Sequence, residues 1–378
     1  MNASLNEKLR AVKWGEFRLG DLFTKRTIKG VPKNKENLTP NKNGFHMFGQ
    51  NIKYQYPQRI LLDKKYLQSV DYQHPILGYT SSVGEIGIIK EPFYRSGDNG
   101  AFQGLFSKEH QFTLKELYFV LPILQKEFDK FGYDTSMANT INLQFSLPIT
   151  SPGKIDFDFM ESFIAELEAE RVAELSAYLT VSGLDNYELS SEEMEIIERF
   201  KKQQIPFSEF EFIKIFNNIK QGRRLKKDDQ TPGNIPFVMS GTTNTGVIGN
   251  ISNPVARFPK NSITIDIFGN SFYRNYDFGA GDDTGVYWNT EKEYSKTCML
   301  FFAAAMGRAL RGKYSYGKKL RSSQSVHFKM QLPTKDGKPD YDTMAMLISA
   351  VQKLVIKDVV LYADRKIEKT KEIVKSEE

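Results

Sequence analysis

The sequence predicts an α+β protein built from two repeated, mixed and β-rich domains, each closing on a long helix. Three observations carry that expectation. The first is residues 155–183. Asp156 and Asp158 put acid at the N-terminal end, and apolar residues recur at helical spacing in Met160, Phe163, Ile164, Leu167, Val172, Leu175, Tyr178 and Leu179, before Gly183 supplies a stop. The second is an echo of this stretch near the end of the chain. Asp340-Tyr341-Asp342-Thr343-Met344 repeats the Asp-aromatic-Asp-x-Met opening, with Leu347, Ile348, Val351, Leu354, Val355, Val359 and Tyr362 behind it. A Leu-Pro stands upstream of each copy, Leu147-Pro148 and Leu332-Pro333, and Met160 and Met344 are 184 positions apart. The third is a strand-like alternation: Ile141-x-Leu143-x-Phe145-x-Leu147 matches Val326-x-Phe328-x-Met330-x-Leu332 at an offset of 185.

Taken in order, residues 1–12 read as a short leader. Trp14–Phe23 opens the first repeat and Phe207–Phe216 the second, both as aromatic-x-Glu-Phe-x-aliphatic/aromatic-x-x-aliphatic-Phe, 193 positions apart. Val83-Gly84 pairs with Phe268-Gly269, and Gly97-Asp98 with Gly281-Asp282, at 185 and 184. Offsets this steady across independent features mark a duplication. Residues 31–49 and 231–259 are aromatic segments broken by Gly, Asn and Pro, which reads as loop-rich β structure. Each repeat holds one further helix, Thr113–Lys130 with a candidate kink at Pro122, and Ser295–Leu310. Ser190-Ser191-Glu192-Glu193 gives a capping-box start to a short helix through Phe200. From Tyr341 the chain reads as one helix of about 32 residues, frayed over Lys366–Glu378. The expected divisions are 1–155 for the first domain, 156–204 for a central helical spacer, 205–338 for the second domain and 339–378 for the closing helix.

At 378 residues the chain suits two or three domains, and 13% aromatics argue for packed cores rather than disorder. No apolar run reaches the ~18 residues of a membrane span, and the first residues lack the hydrophobic stretch of an export signal, so a cytoplasmic protein is expected. A single cysteine, Cys298, excludes an intrachain disulfide and a cysteine-based zinc site, and four scattered histidines argue against a histidine-rich metal site. No dinucleotide, Walker A, nucleophile-elbow or zincin motif is present. Asn253-Pro254-Val255 lacks the second proline and aromatic ring of an amino-methyltransferase motif, and no Glu-x-Lys follows Pro339-Asp340 at nuclease spacing. Gly84-Glu85-Ile86-Gly87 reads as a turn between strands, and Asp282-Asp283 as a turn or loop cap. The chain is therefore expected to bind rather than catalyse.

The net charge of +6 is modest, but the basic residues concentrate between the helices. Arg223, Arg224, Lys226 and Lys227 follow Gly222, and residues 311–324 bring Lys313, Tyr314, Tyr316, Lys318, Lys319, Arg321, Ser323 and Gln324 together. Lysine and arginine neutralise phosphates, while Arg, Gln and Ser can read base edges. The first repeat offers a weaker version in Lys25, Arg26, Lys29 and Lys33, then Tyr133, Thr135, Ser136 and Asn139. A single lysine here is most simply solvated surface; the 311–324 stretch as a whole points to nucleic acid.

Together these features resemble the specificity subunits of type I restriction-modification systems and of the related BcgI-like type IIB systems. Members open each target recognition domain with an aromatic motif, here Trp14–Phe23 and Phe207–Phe216, and end it in a long helix, here Asp156–Thr180 and Tyr341–Lys375. Ile235-Pro236-Phe237-Val238 with Asn244-Thr245-Gly246-Val247-Ile248-Gly249 is close to the I-P-Y-V and N-x-G-V-x-G pattern of such domains, and adds Thr242 and Asn244 to the candidates. Many type I members enter the helix through P-P-x-x-E-Q, which neither copy has. The Asp-aromatic-Asp-x-Met opening looks more like the BcgI-like group, whose partner carries methyltransferase and nuclease on one polypeptide. The resemblance implies two repeated target recognition domains separated by two long antiparallel helices with pseudo-twofold symmetry. It implies that each domain reads half of a bipartite site in double-stranded DNA. The helices would act as spacer and as dock for methyltransferase (modification) subunits, which bind S-adenosylmethionine; this chain would bind no cofactor, metal or membrane. The helix stripes fit an intramolecular coiled coil equally well. A duplicated β-rich carbohydrate- or protein-binding module is the alternative: the loop aromatics suit sugar stacking, and the basic loops count against it.

Overall fold

The chain forms two units, residues 1–175 with 366–378 and residues 176–365. The computed structural model describes residues 3–31, 39–49, 52, 59–80, 85–97, 102–130, 137–151, 153–255 and 257–377. The division falls inside the two long helices, which the sequence-based boundaries set apart as segments of their own.

Unit 1 runs α1 (Ala3–Ala11), β1 (Lys13–Arg18), α2 (Leu19–Leu22), β2 (Phe23–Ile28), β3 (Pro40–Phe48), β4 (Ile76–Thr80), β5 (Ile86–Ile89), β6 (Phe93–Arg95), β7 (Phe102–Ser107), α3 (Leu114–Phe128), β8 (Gln144–Ile149) and α4 (Phe157–Val181). β1 pairs with β8, β2-β7-β4-β5 form an antiparallel sheet, and β3 and β6 form a parallel pair. α3 starts on a Thr113–Glu116 capping box, runs through Pro122, and with α4 covers a core that includes Phe23, Tyr79, Leu117, Leu147 and Met160. The leader expected at residues 1–12 is instead mostly helix α1. Leu5 and Leu9, one helical turn apart, pack on this core, and Lys8 pairs with Glu166.

Unit 2 runs α5 (Ser191–Lys201), β9 (Phe207–Glu211), α6 (Phe212–Ile215), β10 (Asn218–Gln221), β11 (Pro232–Val238), β12 (Val247–Ile251), β13 (Arg257–Phe258), β14 (Ser262–Asp266), β15 (Ser271–Arg274), β16 (Phe278–Ala280), β17 (Thr284–Trp288), α7 (Lys296–Leu310), β18 (Lys329–Lys335), β19 (Lys338–Pro339) and α8 (Tyr341–Glu377). The sheet β10-β17-β14-β15 has the order of unit 1's four-stranded sheet, and the parallel pair recurs as β11 with β16, widened by β12 and β13. The core gathers Phe212, Phe216, Ile263, Tyr287, Phe302, Met306, Leu332 and Met344. α5 starts on the Ser190–Glu193 capping box, and Ile196, Ile197 and Ile205 pack on Leu347 and Ala350 of α8.

The repeat extends to the hydrogen bonds that lead into each long helix. β1 meets β8 with Trp14 opposite Pro148, and β9 meets β18 with Phe207 opposite Pro333. In both units the carbonyl of that proline accepts the N–H of the aspartate heading the long helix, Asp156 at 2.9 Å and Asp340 at 2.8 Å. Each aspartate caps its helix by accepting a backbone N–H, from Phe159 at 2.9 Å and from Thr343 at 3.0 Å. The methionine on the first turn, Met160 or Met344, is then driven fully into the core. This local chemistry is why the Leu-Pro and Asp-aromatic-Asp-x-Met signatures travel together.

The long helices depart from the sequence reading in two respects. Gly183, at φ +64°, ends α4 in a Schellman motif, with Leu184 N–H on the Leu179 carbonyl and Gly183 N–H on Thr180. Tyr178, expected on the buried stripe, is exposed, as are Val351, Leu354, Val355, Val359 and Tyr362 of α8. Among the described side chains of α8, Met344, Leu347, Ala350, Val360 and Ala363 are buried. α8 also continues as helix to Glu377 rather than fraying after Lys366.

Candidate nucleic-acid interface

One edge of unit 2 is assembled from five segments that are distant in sequence. At the end of β10, Gly222 N–H donates to the Thr284 carbonyl at 2.9 Å, and Arg223 N–H to Ala280 at 2.9 Å. Gly222 is glycine because a Cβ there would collide with the carbonyls of Ala280 and Gly281. Gly281 N–H reaches the carbonyl of Val238 at the end of β11, and Ile267, just after β14, donates to Asp283 and accepts from Leu320. Gln221 ties in the fifth segment: its amide donates to the Asp282 carbonyl at 3.0 Å, and its oxygen accepts Ser322 N–H at 2.8 Å. Arg321 donates to the Asp282 carbonyl as well. The edge therefore carries Arg223, Arg224, Thr242, Asn244, Arg321, Ser323 and Gln324, all exposed. Asp282-Asp283 is the loop cap read from sequence: Asp283 accepts Ser240 N–H at 2.9 Å.

The loop after β11 is the most constrained part of this edge. Asn244, Thr245 and Gly246 all have left-handed backbone, at φ +46°, +53° and +85°. For the two non-glycine residues that costs about 1–3 kcal/mol each and needs support from the surroundings. Asp266, buried at the end of β14, accepts Gly241 N–H at 3.1 Å while also taking Phe268 N–H, Asn270 N–H and the Asn270 amide. Arg274 on β15, 1% exposed, donates Nε to Thr264 Oγ1 and Nη1 to Thr245 Oγ1, both at 3.0 Å, Nη1 also to the Tyr276 hydroxyl at 3.2 Å, and Nη2 to the Thr245 carbonyl. Burial pushes its pKa down, and no carboxylate among the described residues pairs with it.

The turn carrying Arg321–Gln324 rests on a buried relay. Ser325 Oγ donates to the Ser322 carbonyl at 2.7 Å, which leaves it to accept the Tyr287 hydroxyl at 2.7 Å. Burial pushes the Tyr287 phenol well above its ordinary range, so it remains a donor. Before this turn, Ser315 and Lys318 close a small hairpin with Tyr316, 82% exposed, at its tip and Lys319 Nζ 4.6 Å from the ring centroid. Lys313, Lys318 and Lys319 are exposed around it, with Tyr314 half-buried below; Lys226 and Lys227 are exposed beyond β10, their charge partly offset by Asp228 and Asp229.

Unit 1 repeats the framework with fewer of its candidates on it. Val31 N–H meets the Arg95 carbonyl as Arg223 meets Ala280, and Gly30 packs against Ser96 and Gly97 as Gly222 packs against Ala280 and Gly281. The Tyr79 hydroxyl bonds Thr140 Oγ1 at 2.6 Å, and exposed Asn139 precedes Thr140 as Gln324 precedes Ser325. Lys29 is exposed at the end of β2. Lys25 and Arg26 lie within β2, where the Arg26 guanidinium sits 4.7 Å from the Phe106 ring. Lys33, Tyr133, Thr135 and Ser136 lie outside the described residues, as do Val83-Gly84 and Asp98.

Residues 11–177 and 208–359 match the family model of the type I restriction modification DNA specificity domain. The chain belongs to this family. It carries two copies of the specificity domain, and the alternative of a carbohydrate- or protein-binding module is not favoured. The type II restriction enzyme BgcI specificity subunit S.BcgI of Heyndrickxia coagulans is 25% identical over 248 residues, 64% of this chain and 67% of the relative. The crystal structure of the S subunit of a type I restriction-modification system from M. genitalium has the same fold. It aligns at a TM-score of 0.54 and 15% identity, covering 97% of this chain and 95% of that one. Among the described residues of this specificity chain there is no group of His, Cys, Asp and Glu able to hold a metal, and no helix long and apolar enough to cross a membrane. Arg274, Asp266, Asp283 and the Tyr287–Ser325 pair were not among the sequence-predicted site residues. The one signal in the sequence was Asn244-Thr245-Gly246, whose Asn and Gly favour left-handed backbone.

Proposed function

We propose that this chain is the non-catalytic specificity subunit of a cytoplasmic restriction-modification complex, reading a bipartite site in double-stranded DNA with one half-site per unit. The observation that carries the reading is the convergence on one edge of unit 2 of arginines, small hydroxyl and amide side chains and a basic, aromatic hairpin. Arg223, Arg224, Lys318 and Lys319 suit phosphates, while Asn244, Arg321, Ser323 and Gln324 have the donor and acceptor sets that read base edges. Methyl transfer from S-adenosylmethionine and cleavage belong on methyltransferase subunits docked on the long helices. The exposed apolar series Val351, Leu354, Val355, Val359 and Tyr362 supports such docking, because a solvated helix face has no use for it. The test is incubation of the purified chain with S-adenosylmethionine and DNA, with and without the partner. Methylation is expected only with the partner; robust transfer by this chain alone would refute the reading.

A further inference from the structure

We infer that Arg274 is a positioning residue for base discrimination: its guanidinium fixes the 241–246 loop so that Thr242, Thr243 and Asn244 meet one half-site in a single conformation. The inference rests on the proposed reading of this edge as the DNA-facing surface.

The argument starts from what the loop needs. Its last three residues stand in left-handed backbone, and Thr245 is β-branched, the class of side chain least suited to that region. A free loop of this sequence would leave that conformation, and a base-reading amide on it would sample many positions. Arg274 takes hold of the unfavourable residue itself, through both the Thr245 hydroxyl and its carbonyl. Thr264 on β14 and Tyr276 in the bend after β15 hold the same guanidinium. A planar fork can make those bonds simultaneously; an ammonium group cannot. Gly241 on Asp266 and Ser240 on Asp283 fix the other end of the loop. Between the clamps the side chains of Thr242, Thr243 and Asn244 are exposed, and Asn244 turns its amide back on the Val247 carbonyl at 3.3 Å. The arrangement is a rigid support beneath an exposed polar tip, which suits readout of base edges.

A buried arginine with no acid partner is an unusual choice for stability alone, since an apolar residue would fill the space without the desolvation cost. Its hydrogen bonds go to Thr264 on the sheet, Tyr276 in the bend after β15 and Thr245 in the loop, and Thr245 is the most exposed of these partners.

The experiment uses the purified assembly of this chain with its methyltransferase partner and a pool of duplexes randomised across the recognition site. Motifs enriched by wild type, Arg274→Met and Thr245→Gly are compared, alongside melting temperatures and the salt dependence of binding. Thr245→Gly removes one acceptor and relieves the backbone strain, so it loosens the loop without leaving an unpaired buried charge. Both variants are expected to lose discrimination by about tenfold or more at one or two positions of one half-site. The other half-site and the salt slope should stay unchanged. Should Arg274→Met fail to assemble, Thr245→Gly decides alone. Full discrimination in folded variants would overturn the inference while leaving the proposed function standing. A wild-type assembly that enriches no motif would overturn both.

Discussion

Replacing Ser325 by alanine should cost more than replacing Tyr287 by phenylalanine, although both break the same hydrogen bond. The two hydroxyls are fully buried and 2.7 Å apart, and Ser325 already donates to the Ser322 carbonyl, so Tyr287 must be the donor of the pair. Tyr287→Phe removes that donor and leaves Ser325 with its own bond intact, a loss of about 0.5–1.5 kcal/mol. Ser325→Ala strands the phenol O–H in the core with no acceptor, at about 1–3 kcal/mol. The Ser322 carbonyl keeps the Ser325 backbone N–H at 3.1 Å, so it adds little to the cost. The double variant strands nothing and should cost less than the sum, with a coupling of about 1 kcal/mol. For a unit of this size each kcal/mol is about 2–4 °C in melting temperature, readable by calorimetry or urea titration. Equal costs for the single variants, or costs that add within ~0.3 kcal/mol, would refute the assigned direction of the relay.

Two further predictions concern the surface and the α5–α8 packing. Lys318→Ala with Lys319→Ala should weaken DNA binding across all sequences and flatten the log–log salt slope by about one unit for each phosphate no longer neutralised; a gel-shift series over salt reads this, and an unchanged slope would place the phosphate-binding surface elsewhere. Burial alone would raise the Glu193 carboxyl, but hydrogen bonds from Lys353, Ser349 and the Ser190 N–H outweigh it and hold the group below its ordinary range. A depressed carboxylate contributes stability that is present above the unfolded-state value of about 4.3 and is lost as pH falls through the folded-state value. Glu193→Gln should therefore destabilise unit 2 by about 1–3 kcal/mol near pH 7, with the wild-type and variant stability curves converging in acid; a gap that persists at low pH would contradict the linkage.

How far the sequence could be read depended on whether a residue acts on its chain neighbours or across the fold. Asp156 and Asp340 cap the very next turn, so their signature is local, and the register of β1 on β8 or β9 on β18 follows from the apolar alternation of short segments. Gly97 and Gly281 were visible as a repeated landmark, but the reason lies across the fold: each packs beside a distant glycine of its own unit, Gly30 or Gly222. Arg274 was not visible at all. In Ser-Phe-Tyr-Arg-Asn an arginine at a strand end is ordinary surface, and only the distant Thr245 gives it a role.

The stripe on α8 failed in an informative way. Periodicity identified the helix, since Leu347, Val351, Leu354 and Val355 recur as a helix requires, but period alone does not say which of two apolar faces turns inward. The fold buries Met344, Leu347, Ala350, Val360 and Ala363 and leaves Val355 73% exposed. Leaving Val351, Leu354, Val355 and Val359 outward is unfavourable for a helix that ends in water. It is the favourable arrangement for one whose second face is closed by another subunit. The misread stripe and the proposed docking of a methyltransferase subunit thus have the same physical origin: a helix with two apolar faces, only one of them covered by the described residues of its own chain.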